Sequence, residues 1–195
     1  MTAQQSALPS SARLILFAGL PGVGKTTIAR ALAERLGAVY LRIDTLEQGI
    51  LSSGLLAPGT DIGPAGYRLA CRLAADNLRL GQRVIIDSVN PLAITRQAYR
   101  AVAAEAGVDC LEVEIVCSDA EEHRRRVETR PGDIPGHILP SWRQVIERTY
   151  EPWDSQPLVL DTATLGTAAG TTQILRALGM VGGMAGDCAE DSPGR

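Results

Sequence analysis

The apolar run Leu14-Ile15-Leu16-Phe17-Ala18 leads directly into Gly19-Leu20-Pro21-Gly22-Val23-Gly24-Lys25-Thr26-Thr27, and this junction constrains the fold more than any other stretch. Five apolar residues suit a buried strand, a glycine-rich loop interrupts them, and a helical pattern starts at Lys25. The spacing of Gly19, Gly24, Lys25 and Thr26 fits G-x-x-x-x-G-K-[ST], a loop whose backbone N–H groups cradle nucleotide phosphates. Glycine lets successive amides turn inward and approach phosphate oxygens closely. The positive end of the following helix adds to the attraction. In this pattern residues Gly19 to Thr27 form the phosphate cradle. Lys25 reaches the β- and γ-phosphates, and the Thr26 hydroxyl sits on Mg²⁺. A tight strand-to-helix turn with a chance lysine is the bland alternative, and the flanking strand and helix argue against it. Lys25 is also the only lysine in a chain whose Lys and Arg together number 19, so the one compact ammonium stands where phosphate chemistry uses it.

Composition narrows the class. A chain of 195 residues with 45% hydrophobic and 21% charged residues suits one globular domain, with or without tails. The net charge of −3 provides no global basic field, so a polyanionic nucleic-acid partner is not implied. Cys71, Cys110, Cys117 and Cys188 form no C-x-x-C pair and no metal spacing, which reads as buried thiols in a reducing compartment. Residues 1–11 carry neither a charged start nor a long apolar core, and no run reaches membrane-spanning length. A cytoplasmic chain without a membrane segment is expected, with 1–11 a disordered lead-in, 12–179 one domain and 180–195 a disordered tail.

Strand and helix patterns alternate along that domain. Residues 13–18 read as a strand and 26–36 as a helix with apolar stripe Ile28, Ala29, Leu32, Ala33 and Leu36, stopped at Gly37. Residues 39–43 read as a second strand ending at Asp44, and 52–66 as a long Gly/Pro/Ser-rich loop of functional length. A helix over 67–80 is expected to pack through Leu69, Leu73 and Leu80. Residues 83–87 form a third strand, and Asn90-Pro91 opens a helix running to Ala106, with Asn90 as its cap. A fourth strand covers 111–117. Capping boxes at Ser118–Glu121 and Ser141–Gln144 open two further helices, the second reaching about Tyr150. A last strand spans 157–160 and a last helix 171–178. Such alternation predicts a parallel sheet covered on both faces, with ligands bound beyond the strands' carboxyl ends.

That rim collects the chemistry. Asp44 follows the second strand and could take a proton from an attacking hydroxyl; it also fits a helix N-cap in Asp44-Thr45-Leu46-Glu47. Asp87 ends Val84-Ile85-Ile86 in the manner of a Walker-B strand, where the acid faces the metal or, alternatively, the substrate. Arg126 and Arg130, four apart on one helix face, lead into the broken segment 131–140. A lid over about 127–140 could bring both guanidiniums onto the transferring phosphoryl group. Arg124 and Arg125 read instead as solvated partners of nearby glutamates. His123 and His137 read as incidental, and Trp142 and Trp153 as packing residues.

On these motifs, from about Arg13 to Asp161, the chain resembles the small P-loop kinases. The group includes the shikimate and gluconate kinases, chloramphenicol phosphotransferase, zeta toxins and the short kinase-like "AAA family ATPases". The resemblance implies a five-stranded parallel sheet of order 2-3-1-4-5, a closing lid, and ATP with Mg²⁺ as cofactors. It matches Asp44 to the acid that contacts the acceptor hydroxyl, and Arg126 and Arg130 to lid arginines. Shikimate kinases carry Asp-x-Asp where this chain has Arg42 and Asp44, and Arg42 is expected on the surface, contact with an anionic acceptor being the alternative. The expected activity is transfer of the γ-phosphate of ATP to a small-molecule hydroxyl, with no membrane partner. Two alternatives stand: a nucleotide-dependent switch or adaptor with slow ATPase activity, and a polynucleotide-end kinase. The first gains nothing from a guanine motif N-K-x-D, which one lysine cannot supply, and the second lacks a basic-aromatic strip.

Overall fold

The computed structural model describes residues 13–57 and 59–180. The expected lead-in 1–11, the tail beyond residue 180 and Cys188 lie outside the described residues. The element order is β1 (Leu14–Ala18), α1 (Lys25–Leu36), β2 (Val39–Arg42), α2 (Ile43–Leu51), α3 (Ala65–Arg79), β3 (Val84–Asp87), α4 (Ala93–Glu105), β4 (Cys110–Val116), α5 (Ala120–Thr129), α6 (Trp142–Ile146), β5 (Leu158–Asp161) and α7 (Thr167–Ala177).

The five strands form one parallel sheet in the order β2-β3-β1-β4-β5, as the resemblance implies. The two-residue period of a strand sorts its side chains between two cores. Ile15, Phe17, Ile85, Val113, Ile115 and Leu160 face α1 and α7, packing on Ile28, Leu32, Ile174 and Leu175. Leu14, Leu16, Val84 and Ile86 face α2, α3 and α4, packing on Ile43, Ala70, Ala74, Leu78 and Tyr99. β1 is central and wholly buried, so the loop that leaves it starts from the most constrained point of the sheet.

Three departures from the sequence pattern have physical causes. The second strand stops at Arg42, and the chain turns into α2 at Ile43, so Ile43 and Asp44 are helical. Ile43, Thr45 and Gly49 have modest helix propensity, each weaker than alanine by up to about 1 kcal/mol. Burying Ile43 and half-burying Leu46 against the second core outweighs this, at about 1.5–3 kcal/mol for a fully buried side chain. In α3 the buried stripe is Gly66, Ala70, Ala74 and Leu78, while Leu69 and Leu80 are exposed. Small residues over most of the stripe let this helix lie close to the sheet, with Leu78 the one large side chain on it, while Leu69 is turned outward.

The third departure lies at Asn90. It is not a cap; it stands at φ 44°, fully buried, and its Nδ2 donates to the Phe17 carbonyl at 2.7 Å. The first amide of α4, that of Ala93, is capped instead by Glu151, whose Oε2 accepts at 2.6 Å. The cap therefore comes from 58 residues away, beyond any local pattern. Around the remaining helices, the cap of α5 is Asp119, whose Oδ1 accepts from the amides of Glu121 and Glu122 at 3.0 Å. Ser118 turns to Asp161 instead, donating through both its amide and its hydroxyl. The box at Ser141 and Gln144 forms as expected, although α6 ends at Ile146. α7 begins at Thr167, four residues earlier than the pattern suggested.

Arg96 locks the far side of this region. It is fully buried, donates to the carbonyls of Asn90 (3.1 Å), Pro152 (2.7 Å) and Glu151 (3.3 Å), and lies 4.6 Å over the Trp153 ring. Three carbonyls, that of Asn90 fully buried, thus depend on one guanidinium, and losing it leaves the Asn90 carbonyl unsatisfied. Arg96→Met is expected to lower unfolding stability by about 3 kcal/mol, measured as a reduced urea midpoint at unchanged m-value.

Candidate functional site

The carboxyl ends of the strands open onto a cleft of about 1010 Å³ lined by the Gly19–Thr27 loop, α2, β3, the 130–140 segment and the loop after β5. Its geometry starts with the first loop residues. Gly19 stands at φ 131°, and a Cβ there would run into the Ile115 carbonyl oxygen, so only glycine fits. Gly22, at φ 87°, packs beneath Val127 and His123. Pro21, Gly22, Gly24, Lys25, Thr26 and Thr27 line the cleft, whereas Gly19, Leu20 and Val23 support the loop from behind. Lys25 is buried, and its Nζ donates to the Leu20 carbonyl at 2.9 Å. Burial pulls its pKa down to about 8, against the opposing fields of Asp87 and Asp44.

Asp87 sits level with Arg42 on β2 and Phe17 on β1, at the end of β3 and 3% exposed. Its Oδ2 accepts from the Tyr40 hydroxyl at 2.5 Å. Burial, then the Asp87 charge, push the Tyr40 phenol far above its ordinary range, so it stays protonated and remains the donor. Thr26 and Asp87 line the same cleft. One carboxylate and one hydroxyl match the way Mg²⁺ is held, with phosphates and water completing the shell. Among the described residues no cluster of three or more His, Cys, Asp or Glu forms a self-sufficient metal cage.

Asp44 lines the cleft from the first turn of α2, where the helix dipole favours a carboxylate. The N-cap position belongs to Arg42, and no side chain caps this helix, so the capping-box alternative for Asp44 is overturned. Beside Asp44, the Glu47 carboxyl is pushed up by burial and by the Asp44 charge. Arg42 is not on the surface: it is 8% exposed. Its Nη1 donates to Asp133 at 2.7 Å and its Nη2 to Asp44 at 3.3 Å. Arg30 from α1 also donates to Asp133, at 2.7 Å. Held first by Arg42 and then by Arg30, the Asp133 carboxyl falls to about 2.

The two arginines expected on one helix face separate. Arg126 is in the last turn of α5, but Arg130 is its C-cap in extended conformation. Both line the cleft. Arg126 is anchored to Glu122 (2.7 Å), the Thr162 hydroxyl (2.9 Å) and the Thr162 carbonyl (3.1 Å). The Arg130 Nε is buried without a protein partner, and burial draws its guanidinium below its ordinary value while Asp44 opposes the shift. Arg124 and Arg125 pair with Glu128 and Glu122 on the surface, as expected.

Sequence reasoning missed four contributors. His123 is buried, and its Nε2–H donates to the Pro21 carbonyl at 2.8 Å, while its ring meets Trp142 edge-on at 5.1 Å. Thr162 donates to the Val23 carbonyl at 2.7 Å, tying the loop after β5 to the phosphate loop. Tyr40 and Asp133 complete the set. The signal for Tyr40 was its place in a strand adjoining that of Asp87; the other three carried none, because their partners lie 102, 139 and 91 residues away.

A parallel sheet with a glycine loop after its central strand, a buried lysine and two rim carboxylates defines a P-loop nucleotide-binding fold of the kinase-like kind. The AAA domain family model matches residues 14–149, and the chain belongs to that family. It is 31% identical over 161 residues to a probable adenylyl-sulfate kinase of Aeropyrum pernix, covering 76% of this chain and 82% of that one. It is 28% identical over 166 residues to a gluconokinase of Gluconobacter oxydans, covering 82% and 87%. The solved APS kinase CysC of Mycobacterium tuberculosis, in complex with AMPPNP and APS, superposes with a TM-score of 0.62 at 21% identity, covering 88% and 99%. The chain spans only 21% of the length of uncharacterized mycobacterial proteins with which it is 34% identical over 108 residues. No helix among the described residues is long and apolar enough to cross a membrane.

The buried lysine has a measurable signature. Between its folded value near pH 8 and its unfolded value of 10.5, the unfolded state binds more protons, so stability rises with pH. Below pH 8 the penalty for burying the charge is fully present. Subtracting the pH–stability profile of Lys25→Met, which removes contributions common to both proteins, is expected to leave a difference that rises over this window. A flat difference would contradict a desolvated Lys25.

Proposed function

We propose that the protein is an ATP- and Mg²⁺-dependent phosphotransferase that moves the γ-phosphoryl group to a hydroxyl of a small-molecule acceptor. The observation that carries this reading is the convergence of Lys25, Asp44 and Asp87 on one cleft beside the phosphate loop. Family membership and likeness to proteins named as kinases support it.

In this reading the amides of residues 19–27 and the Lys25 ammonium hold the phosphates. Thr26 and Asp87 hold Mg²⁺, which supplies charge neutralisation on the phosphate oxygens. Tyr40 fixes one Asp87 oxygen, leaving the other free for that task. Asp44 orients the acceptor hydroxyl and takes its proton as the oxygen attacks. Residues 130–140 act as a lid, since 127–129 of the span expected to form it belong to α5. Arg130 neutralises charge on the transferring group, and Arg126, braced by Glu122 and Thr162, forms the cleft wall at the loop after β5. The acceptors named for the relatives, adenylyl-sulfate and gluconate, are the first to try.

The test follows label from γ-labelled ATP in the presence of Mg²⁺, adenylyl-sulfate, gluconate, fractionated metabolites and oligonucleotides. Transfer to a small molecule is expected. Asp44→Asn should lower kcat by about 10²-fold or more, and Lys25→Ala should abolish turnover with the fold intact. Label on oligonucleotide ends would establish a polynucleotide-end kinase instead. Slow release of inorganic phosphate alone, indifferent to Asp44→Asn, would favour the switch or adaptor.

A further inference from the structure

Arg42 occupies a position that catalysis by a simple carboxylate pair does not call for. It is the last residue of β2, nearly inaccessible, and level with Asp87 on the adjoining strand. Its guanidinium holds two carboxylates at once. One is Asp133 in the segment over the cleft, and the other is Asp44 in the first turn of α2. The same Asp133 oxygen also accepts from Arg30 of α1. Lid, central helix and candidate base are thereby joined through one planar fork. A lysine could not reproduce this, since a single ammonium lacks the geometry to hold both carboxylates in fixed directions.

Burial decides what such a fork does. The desolvation of a guanidinium this buried is offset only if its donors meet acceptors, and the Arg42 Nε already lacks one. Without Asp133, one arm would face the cleft unpaired, and the guanidinium would turn toward Asp44 and Asp87. In the arrangement seen here Nη2 is 3.3 Å from Asp44 and Nη1 is 2.7 Å from Asp133, so the shorter contact is the one to the 130–140 segment. The segment around Asp133 has a second anchor on the same helix as Asp44: Gly136 packs directly on the Gln48 side chain of α2.

We propose that Arg42 is a positioning residue that couples seating of the 130–140 segment, through Asp133, to the orientation and charge environment of Asp44. The proposal rests on the assignment of Asp44 as the acceptor-side base. With the lid lifted, Arg42 shifts toward Asp44 and neutralises it in a direct pair. With the lid seated, Asp133 takes the shorter contact and holds the guanidinium to a longer 3.3 Å contact with Asp44, which leaves that carboxylate less neutralised and better able to accept a proton. The base is thus competent when the cleft is closed to water.

Carbon-13 NMR titration of the Asp44 carboxyl, assigned with Asp44→Asn, tests the coupling without acceptor or turnover. The other titratable groups facing Asp44 are Lys25, Arg130, Glu47 and Tyr67, and all remain in every variant used. Asp133→Asn is expected to move the Asp44 midpoint to lower pH, because Arg42 then serves Asp44 alone, and Arg42→Met to move it to higher pH. In an Arg42→Met background, Asp133→Asn is expected to have little further effect. Equal shifts from Asp133→Asn with and without Arg42 would mean a direct field and would overturn the relay, as would no shift at all. Arg42→Lys, which keeps the charge, guards against a folding defect in Arg42→Met and should also uncouple Asp133 from Asp44. In turnover, Asp133→Asn and Arg42→Lys should each lower kcat about tenfold with the ATP KM changed less than about twofold, and the double variant should fall no further. If the wild-type protein transfers no phosphoryl group, the catalytic assignment fails while the NMR result still decides whether the coupling exists.

Discussion

The site depends on a backbone turn that only a buried strand can hold. β1 lies between β3 and β4 with every side chain buried, and its last carbonyls are spoken for on both sides. Asn90 ties the Phe17 carbonyl from beneath, and the Gly19 amide donates to the Val89 carbonyl at 3.1 Å. From that anchor the chain turns at Gly19 against the Ile115 carbonyl, a path closed to any residue with a Cβ. The loop then closes on itself through Lys25 and Leu20. Rigid amides aimed at a fixed point cost little reorganisation when charge arrives, which is the physical basis of electrostatic preorganisation.

Around the loop, support comes from chain segments far apart in sequence. His123 fixes the Pro21 carbonyl, Thr162 fixes the Val23 carbonyl, and Arg126 fixes Thr162. These three contacts join α5, the loop after β5 and the phosphate loop into one wall of the cleft. The opposite wall is built of charges. Asp87 is set by Tyr40, while Asp44 and Asp133 share Arg42. The first wall is held mainly by hydrogen bonds to loop carbonyls, with the Arg126–Glu122 pair behind them, and the second mainly by ion pairs.

Much of this was legible in local sequence, and the limits are instructive. The phosphate loop, the parallel sheet and the positions of Asp44 and Asp87 follow from spacing and from hydrophobic runs. They are local features, and a strand end points its next residue at the ligand rim whatever the neighbours do. The second helix was legible only as an alternative that would start after Asp44, because Ile43 and Gly49 weaken its local signal, and burial of Ile43 and Leu46 in the second core fixes its start at Ile43. Likewise Leu69 outranks Ala70 and Ala74 on any hydrophobic scale, yet the sheet accepts the stripe of Gly66, Ala70, Ala74 and Leu78. Arg42 looked like a surface residue for a comparable reason: its partner Asp133 is 91 residues away.

By itself, the sequence determined the class of fold, the phosphate cradle and the acids on its rim, since each arises from interactions within a few residues or from periodicity. Tertiary structure alone decided which helix face is buried, which residue caps α4, and that Arg42 and His123 belong to the site. Those outcomes turn on desolvation, which is a property of surroundings and not of spacing. A charged or polar side chain becomes buried only where distant groups satisfy it, and nothing local reports whether they do.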